Sequence, residues 1–311
     1  MMALAETGFD LVLCAMIATT ALLAIGVRDQ FGAVVLFVVY SVFLGLGWLR
    51  LGALDIALAE VALGAGLTGL LLFGAHARLP ASVPVPSGRA VWPAACAAGG
   101  SGLALGWAFL TLPEPVGLQE AVAANLGTSG VENPVTAVLL NFRSWDTLIE
   151  SIVLLAALIG VWSVARDDAW GGQPGLRQHA RHGGVLANFG RLLPPIGFMI
   201  GVYLFWAGSS KPGGAFQAGT VLAAVALVVF MGGAMRPPLV TARWLRLVCV
   251  AGPAVFLAVG LTGAASGVFL GLRPDLAKPL ILAIEAVLTF SIAASLALSV
   301  IGPPEDPEDH V

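Results

Sequence analysis

The sequence predicts an all-α, polytopic membrane protein of about nine transmembrane helices in two bundles. Apolar residues fill 58% of its 311 positions and charged residues only 11%, with a mean hydropathy of +0.93. Soluble domains usually carry about 25% charged residues, so water is not the main solvent for this chain. The 39 glycines suit helices that pack closely in lipid, where small residues let backbones approach each other.

Nine apolar runs approach the length of about 20 residues that a spanning helix needs. They lie near positions 8–27, 31–50, 53–75, 90–112, 145–165, 191–208, 214–235, 244–268 and 278–301. Glu6 precedes the first run and no Lys or Arg does, so the run lacks the basic start of a signal peptide. We expect it to remain in the protein as a helix.

The basic residues predict how the chain crosses the membrane. On the nine-helix topology, ten of the 15 Lys and Arg residues fall on one side and five on the other. Cytoplasmic loops carry an excess of Lys and Arg. The N-terminus is therefore expected outside and the C-terminus in the cytoplasm, in a cell (inner) membrane.

Composition also divides the chain into modules. Residues 1–166 hold five of the predicted helices and residues 191–302 hold four. The stretch between them, 167–190, is rich in Gly and contains Pro174, and is interpreted as a cytoplasmic linker. Residues 303–311 form an acidic tail.

The sequence lacks the residue patterns that are typical of the catalytic and metal sites of soluble enzymes. The three cysteines are far apart and the four histidines lie outside the apolar runs, so neither a disulfide framework nor a metal site is expected. No basic tract indicates nucleic-acid binding. Because no nucleophile motif or phosphate loop is evident either, we expect a protein without its own catalytic site and without a cofactor.

One motif imitates a dinucleotide fingerprint. Gly64, Gly66 and Gly69 match the pattern G-x-G-x-x-G. That fingerprint requires a preceding strand and a following soluble helix, whereas these glycines lie within a predicted spanning helix. Close helix packing or a π-bulge explains them better.

Three glutamates stand inside the predicted spans: Glu60, Glu150 and Glu285. A charged side chain at the centre of an inserted helix costs about 2.5–3.5 kcal/mol, so such residues are candidates for function. Glu60 is the strongest candidate for a proton or cation site, because small residues, Gly64 and Thr68, follow on its face at i+4 and i+8. A glutamate hydrogen-bonded into a helix interface is the alternative.

For the other two glutamates a structural role is equally open. Glu150 shares a helix face with Asp146 and Arg143, so an ion pair of Arg143 with either carboxylate is possible. Glu285 follows Lys278 by seven residues on one face, but Lys278 is expected to extend towards the membrane surface.

A turn rich in glycine separates the sixth and seventh predicted helices. Pro212 blocks continuation of a helix, and Gly213 and Gly214 permit unusual dihedral angles. The segment is either an ordinary tight turn or a partly re-entrant loop that places Lys211 near a polar pathway.

These motifs, in this order, resemble those of Mrp-type Na⁺/H⁺ antiporters. Residues 37–52 and 55–69 resemble the C-terminal region of the MrpA protein, and residues 133–150 resemble the next block of that region. From Leu192 onward the chain resembles the MrpB protein, whose Pro-Gly-Gly-Gly-Phe turn reads here Pro212-Gly213-Gly214-Ala215-Phe216. The three blocks are similar to the D, E and F subunits of membrane-bound hydrogenases.

The resemblance implies a non-autonomous membrane subunit of a multi-subunit antiporter that moves Na⁺ and H⁺. The large antiporter-like part of MrpA is absent, so other Mrp-type subunits, including a large antiporter-like one, are the expected partners. Ser209, Ser210 and Lys211 occupy the stretch where relatives of MrpB usually carry a His. The candidate proton or cation route comprises Glu60, Glu150, Glu285, Asp146, Asp55 and Lys211.

Two alternatives to the antiporter remain open. The same module also fits the membrane arm of a redox-driven complex related to respiratory complex I, or an inorganic-carbon uptake complex. In the second alternative the chain is a structural scaffold whose carboxylates only hold helices together.

Overall fold

The computed structural model describes residues 2–78, 91–113, 117–174, 184–265 and 267–304. The helices are α1 (Met2–Gly26), α2 (Gln30–Arg50), α3 (consecutive segments Leu54–Ala59, Glu60–Thr68 and Gly69–Arg78), α4 (Val91–Thr111), α5 (Gln119–Asn125), α6 (Pro134–Ala137, continued by Val138–Phe142), α7 (Ser144–Ser163), α8 (Val185–Ala207), α9 (Ala215–Met231), α10 (Arg243–Ala265) and α11 (Pro274–Ile301). Within these ranges the β structure is limited to an isolated bridge between Pro174 and Pro304.

The all-α, polytopic prediction is confirmed. In the described ranges, eight helices are long and apolar enough to cross a membrane, and α9 adds a ninth apolar helix of 17 residues. Each coincides with one of the nine predicted runs. The acidic tail lies almost wholly outside the described residues.

Element boundaries differ in two places from the hydropathy pattern. Helix α8 begins at Val185 rather than near 191, inside the stretch interpreted as a linker. The polar residues Asn188 and Arg191 lower the hydropathy of its first turns without interrupting the helix. The short helices α5 and α6 were not predicted, because neither has the length of a spanning segment.

The packing of α3 on α2 depends on glycines. A methyl group added at Gly64 would come within 2.6 Å of Ser41 Oγ, and one at Gly69 within 2.7 Å of Val38 Cγ2. The middle segment of α3, Glu60–Thr68, is π-helical, a form that is rare and frequent at functional sites. The glycine-rich stretch is thus an irregular helix pressed closely against its neighbour.

The four C-terminal helices pack around α9 and α11. Helix α9 contacts both α8 and α11, and α11 also contacts α10. Glycine makes the close approaches possible: a methyl group at Gly219 would meet Ile292 Cγ2 at 2.7 Å, and one at Gly201 would meet Leu222 Cδ2 at 2.7 Å. Since lipid tails are as apolar as leucine, this interior is stabilised by close packing rather than by removal from water.

Helices α3 and α7 join the N-terminal helices to this C-terminal group. Helix α7 packs on α10 and α11, and the π-helical part of α3 packs on α9. One apolar cluster contains Leu67 and Leu158 together with Leu227. A second contains Leu148 with Ile284. Helix α4, by contrast, is exposed along its described length and contributes nothing to the site below.

Candidate functional site

The turn between α8 and α9 places backbone where a side chain would not fit. Gly213 and Gly214 have φ values of 152° and 117°, which residues with a Cβ rarely adopt. A methyl group at Gly213 would collide with the carbonyl oxygen of Leu204, and the Gly214 N–H donates to that same oxygen at 2.9 Å. Pro212 cannot continue helix α8. The turn therefore folds back over the C-terminal end of α8 before α9 begins.

Asp55, at the start of α3, bonds to the turn between α8 and α9. It does so from outside the four C-terminal helices. The backbone N–H of Gly213 donates to Asp55 Oδ1 at 2.8 Å. The Gln217 side-chain amide donates to the Asp55 carbonyl oxygen at 3.3 Å. A hydrogen bond to an ionised carboxylate is shorter and stronger than one between neutral groups. Asp55 thus fixes α3 to the start of α9.

A second segment, residues 129–137, straps the same turn. The backbone N–H groups of Glu132 and Asn133 both donate to the Ser209 carbonyl oxygen, at 2.9 and 3.1 Å. Asn133 Nδ2 donates to the Lys211 carbonyl oxygen at 3.0 Å, and Thr136 Oγ1 donates to the Gly208 carbonyl oxygen at 2.6 Å. These bonds satisfy backbone carbonyl groups of the turn that follows α8.

Glu285, on α11, is buried directly beneath this turn. Its residue exposure is 2%. The backbone N–H of Ala215 lies against the carboxylate, and Oε1 lies 3.0 Å from where a methyl group on Gly208 would stand. The carboxylate thus faces the N-terminus of α9, whose dipole favours negative charge. Among the described residues, its other oxygen, Oε2, has no hydrogen-bond partner.

A cavity of about 380 Å³ brings three acidic residues together. Asp55 of α3, Glu150 of α7 and Glu285 of α11 line it, with Gly213 and Gly214 of the turn. Glu150 is exposed and Asp55 is half-buried, so the three carboxylates run from an open edge to a buried end. The walls are mostly apolar: Ile56, Ala59, Leu63, Val135, Leu139, Leu140, Phe216, Leu288 and Ile292. Such a cavity is roomy enough for water, and the three carboxylates offer it polar partners.

Two protein-family models match parts of the chain. Residues 15–81 match the MbhD family, described as the D subunit of MBH. Residues 185–302 match the family described as a domain related to the MnhB subunit of Na⁺/H⁺ antiporter. This second match covers helices α8–α11. No curated protein matches the chain at a significant level.

Two solved structures contain chains of similar fold. The Mrp complex from Dietzia sp. DQ12-45-1b matches with a TM-score of 0.73 and 23% identity, over 96% of this chain and 35% of that chain. The membrane-bound sulfane sulfur reductase, an archaeal respiratory membrane complex, matches with a TM-score of 0.54 and 23% identity, over 68% of this chain and 95% of that one. The chain therefore spans about a third of the length of the Mrp chain it matches.

The predicted route residues divide between the cavity and its surroundings. Asp55, Glu150 and Glu285 line the cavity, and of the three only Glu285 lies in the segment that matches the MnhB-related model. Glu60 belongs to the MbhD-like segment and does not line it. Its Oε1 instead lies beside Gly64, which packs against Ser41 of α2. Glu60 is half-buried at this helix interface.

Asp146 and Lys211 lie at exposed positions. Asp146 forms an ion pair with Arg143, 2.8 Å between Oδ2 and Nη2, with both side chains more than half exposed. This is one of the two pairs that the shared helix face allowed. Lys211 is exposed next to the turn, and its backbone carbonyl accepts the bond from Asn133.

Several residues of the site were not anticipated from the sequence. Thr136, Asn133 and Gly208 fix the turn, and Gln217 bonds to Asp55. Asn133 directly before Pro134 is a recognisable start of a short helix, since its side chain accepts from the Val135 N–H at 2.9 Å. The residues that these side chains bond to are distant in the sequence, so no local sequence pattern reveals them. Within the described chain, no three His, Cys, Asp or Glu residues are grouped closely enough to hold a metal ion.

Proposed function

We propose that this chain is a membrane subunit of an Mrp-type complex that exchanges Na⁺ for protons, and that the carboxylate cavity lies on the proton or cation route. The observation that carries the proposal is Glu285, a buried carboxylate with an unpartnered oxygen at the end of a cavity. Retaining a charge among apolar helices is costly, so a carboxylate there is a candidate for function. The MnhB relationship of residues 185–302 supports antiport as the process served.

Each carboxylate has a separate role in this proposal. Glu285 takes up and releases the transported proton or binds the cation at the buried end of the cavity. Glu150 exchanges the proton or cation with Glu285 at the exposed edge of the cavity. Asp55 keeps the turn closed over Glu285, because it is already bonded to Gly213. Glu60 serves a second position on the route beside α2, and Asp146 and Lys211 set the charge at its exposed flanks.

The chain is expected to depend on partners for any transport. Since these residues match about a third of the Mrp chain, we propose that transport also needs a large antiporter-like part. We therefore expect the purified chain alone, in proteoliposomes with a Na⁺ gradient, to show no Na⁺-dependent proton movement in a pH-dye assay. The native complex, purified through the same chain, is the positive control. Robust antiport by the single chain would overturn the proposal.

The proposed orientation in a cell (inner) membrane places the N-terminus outside and the C-terminus in the cytoplasm. Thr128 and Gln173 are exposed and lie on opposite sides in this arrangement. Single cysteines at these positions, in a chain whose three natural cysteines are replaced, are expected to react with an impermeant maleimide from opposite sides of the membrane. Intact cells would label Thr128→Cys, and inverted vesicles Gln173→Cys. Labelling of both from one side would contradict this topology.

A second candidate function is the same module within a redox-driven or carbon-uptake complex. The match to the membrane-bound sulfane sulfur reductase favours it, because that match covers 95% of the other chain. Purification of the native complex and identification of its subunits separates the two. Co-purified redox subunits would establish the second candidate, and antiporter-like subunits alone the first. The bond from Gly213 to Asp55 suggests a scaffold role as well. Glu285→Gln distinguishes a scaffold from a transport route, because loss of assembly would indicate the scaffold role.

A further inference from the structure

A groove between α1 and α2, remote from the carboxylate cavity, has the form of a ligand site. Its volume is about 620 Å³, within the range of about 300–1,000 Å³ that small-molecule sites occupy. Apolar side chains form most of its wall: Leu13 and Ile17 from α1, with Leu44, Trp48 and Leu51 from α2. Helix α1 has its main packing contact with α2, so the rest of its surface faces outward. The groove therefore opens towards lipid.

Charged side chains gather at one end of this groove. Arg50, the last residue of α2, donates from Nε to Asp10 Oδ1 at 2.6 Å and from Nη2 to Oδ2 at 3.4 Å. The same Nη2 lies 3.8 Å from Glu6 Oε2. All three side chains are about half exposed. Arg50 ends α2 two residues after Trp48, and Glu6 begins the apolar span of α1, so we place this end of the groove at the level of the lipid headgroups.

The charges select among headgroups. Two carboxylates and one guanidinium leave this end with a net charge of −1, which repels a purely anionic headgroup. Arg50 has five N–H donors, and its bonds to Asp10 leave others free for a phosphate. Glu6 accepts no hydrogen bond from Arg50 at 3.8 Å and is available to an ammonium group. A headgroup that carries both a phosphate and an ammonium meets both signs.

We propose that the groove binds a zwitterionic phospholipid with a primary ammonium headgroup, of the phosphatidylethanolamine class. The phosphate contacts Arg50 and the ammonium contacts Glu6, while an acyl chain lies along the apolar wall. This site is independent of the proposed transport function. A lipid bound in the groove would fix the position of α1, which few other contacts hold.

Cys14 lies on the wall of the groove and reports whether it is occupied. Cys14 and Cys96 are exposed and Cys249 is buried, so in a Cys96→Ser chain Cys14 is the accessible thiol among the three. The full-length chain is placed in nanodiscs of phosphatidylcholine alone, or with phosphatidylethanolamine or phosphatidylglycerol added in equal amount. The rate of Cys14 modification by a lipid-soluble maleimide is then measured by mass spectrometry.

We expect phosphatidylethanolamine to slow the modification of Cys14 about three- to five-fold relative to phosphatidylcholine, the size of effect that one exposed ion pair allows. Phosphatidylglycerol should leave the rate unchanged. Glu6→Gln should abolish the protection, and Glu120→Gln, an exposed carboxylate on α5, should retain it. Equal rates in all three lipids would overturn the proposal even without the variants. Slow labelling in every lipid and in Glu6→Gln would also overturn it, since a second copy of this chain would then cover the groove.

Discussion

Replacing Glu285 by Gln in the assembled complex is expected to reduce Na⁺-driven proton flux to about one tenth or less of the wild-type rate. A barrier higher by about 1.4 kcal/mol is sufficient for a factor of ten, and Gln cannot release or take up the transported proton. The substitution keeps the shape of the side chain. Its carbonyl oxygen can still face the Ala215 N–H, and its NH₂ group takes the place of the unpartnered Oε2. Flux is measured with a pH-sensitive dye in vesicles that contain the purified complex.

The control for this variant is Glu120→Gln, which removes an exposed carboxylate of α5 that does not line the cavity. It should transport at the wild-type rate. Glu60→Gln, measured in parallel, tests whether the second position beside α2 is equally required. A Glu285→Gln complex that assembles fully and transports normally would leave the cavity without its central residue. Loss of assembly, with subunits that no longer co-elute, would indicate the scaffold role instead.

Replacing Gly213 by Ala is expected to destabilise the chain substantially. A residue with a Cβ at φ 152° is strained by about 1–3 kcal/mol, and the added methyl group would also collide with the Leu204 carbonyl oxygen. Relief of this collision moves the Gly213 N–H away from Asp55 and loosens α3 from α9. We expect the unfolding temperature in detergent to fall by roughly 4–8 °C, as measured by a thermal-shift assay.

Gly74→Ala is the matched control, because a methyl group there meets nothing within 4 Å and the residue lies inside helix α3. Alanine favours helix over glycine by about 0.5–1 kcal/mol, so this variant should be unchanged or slightly more stable. If the two alanine variants melted at the same temperature, the turn would not depend on the glycine conformation.

Local patterns were sufficient for much of this protein. Hydropathy runs of about 20 residues located each spanning helix, because burial of backbone in lipid leaves few alternatives to a helix. Pro212 and the two glycines after it predicted a turn, since proline stops a helix and glycine permits positive φ. Asp146 with Arg143 was foreseeable as a pair, because residues three apart share a helix face.

What the sequence determined by itself was the membrane class, the long apolar helices, the turn and the set of acidic residues worth considering. Which of those carboxylates share a cavity was decided by the tertiary structure. Asp55 meets Gly213 across 158 positions of sequence, and Glu285 lies beneath the same turn while Glu60 faces α2. The reason is physical: a helix forms from contacts within a few residues. The neighbours of its faces follow from how glycines and larger side chains of distant helices fit together.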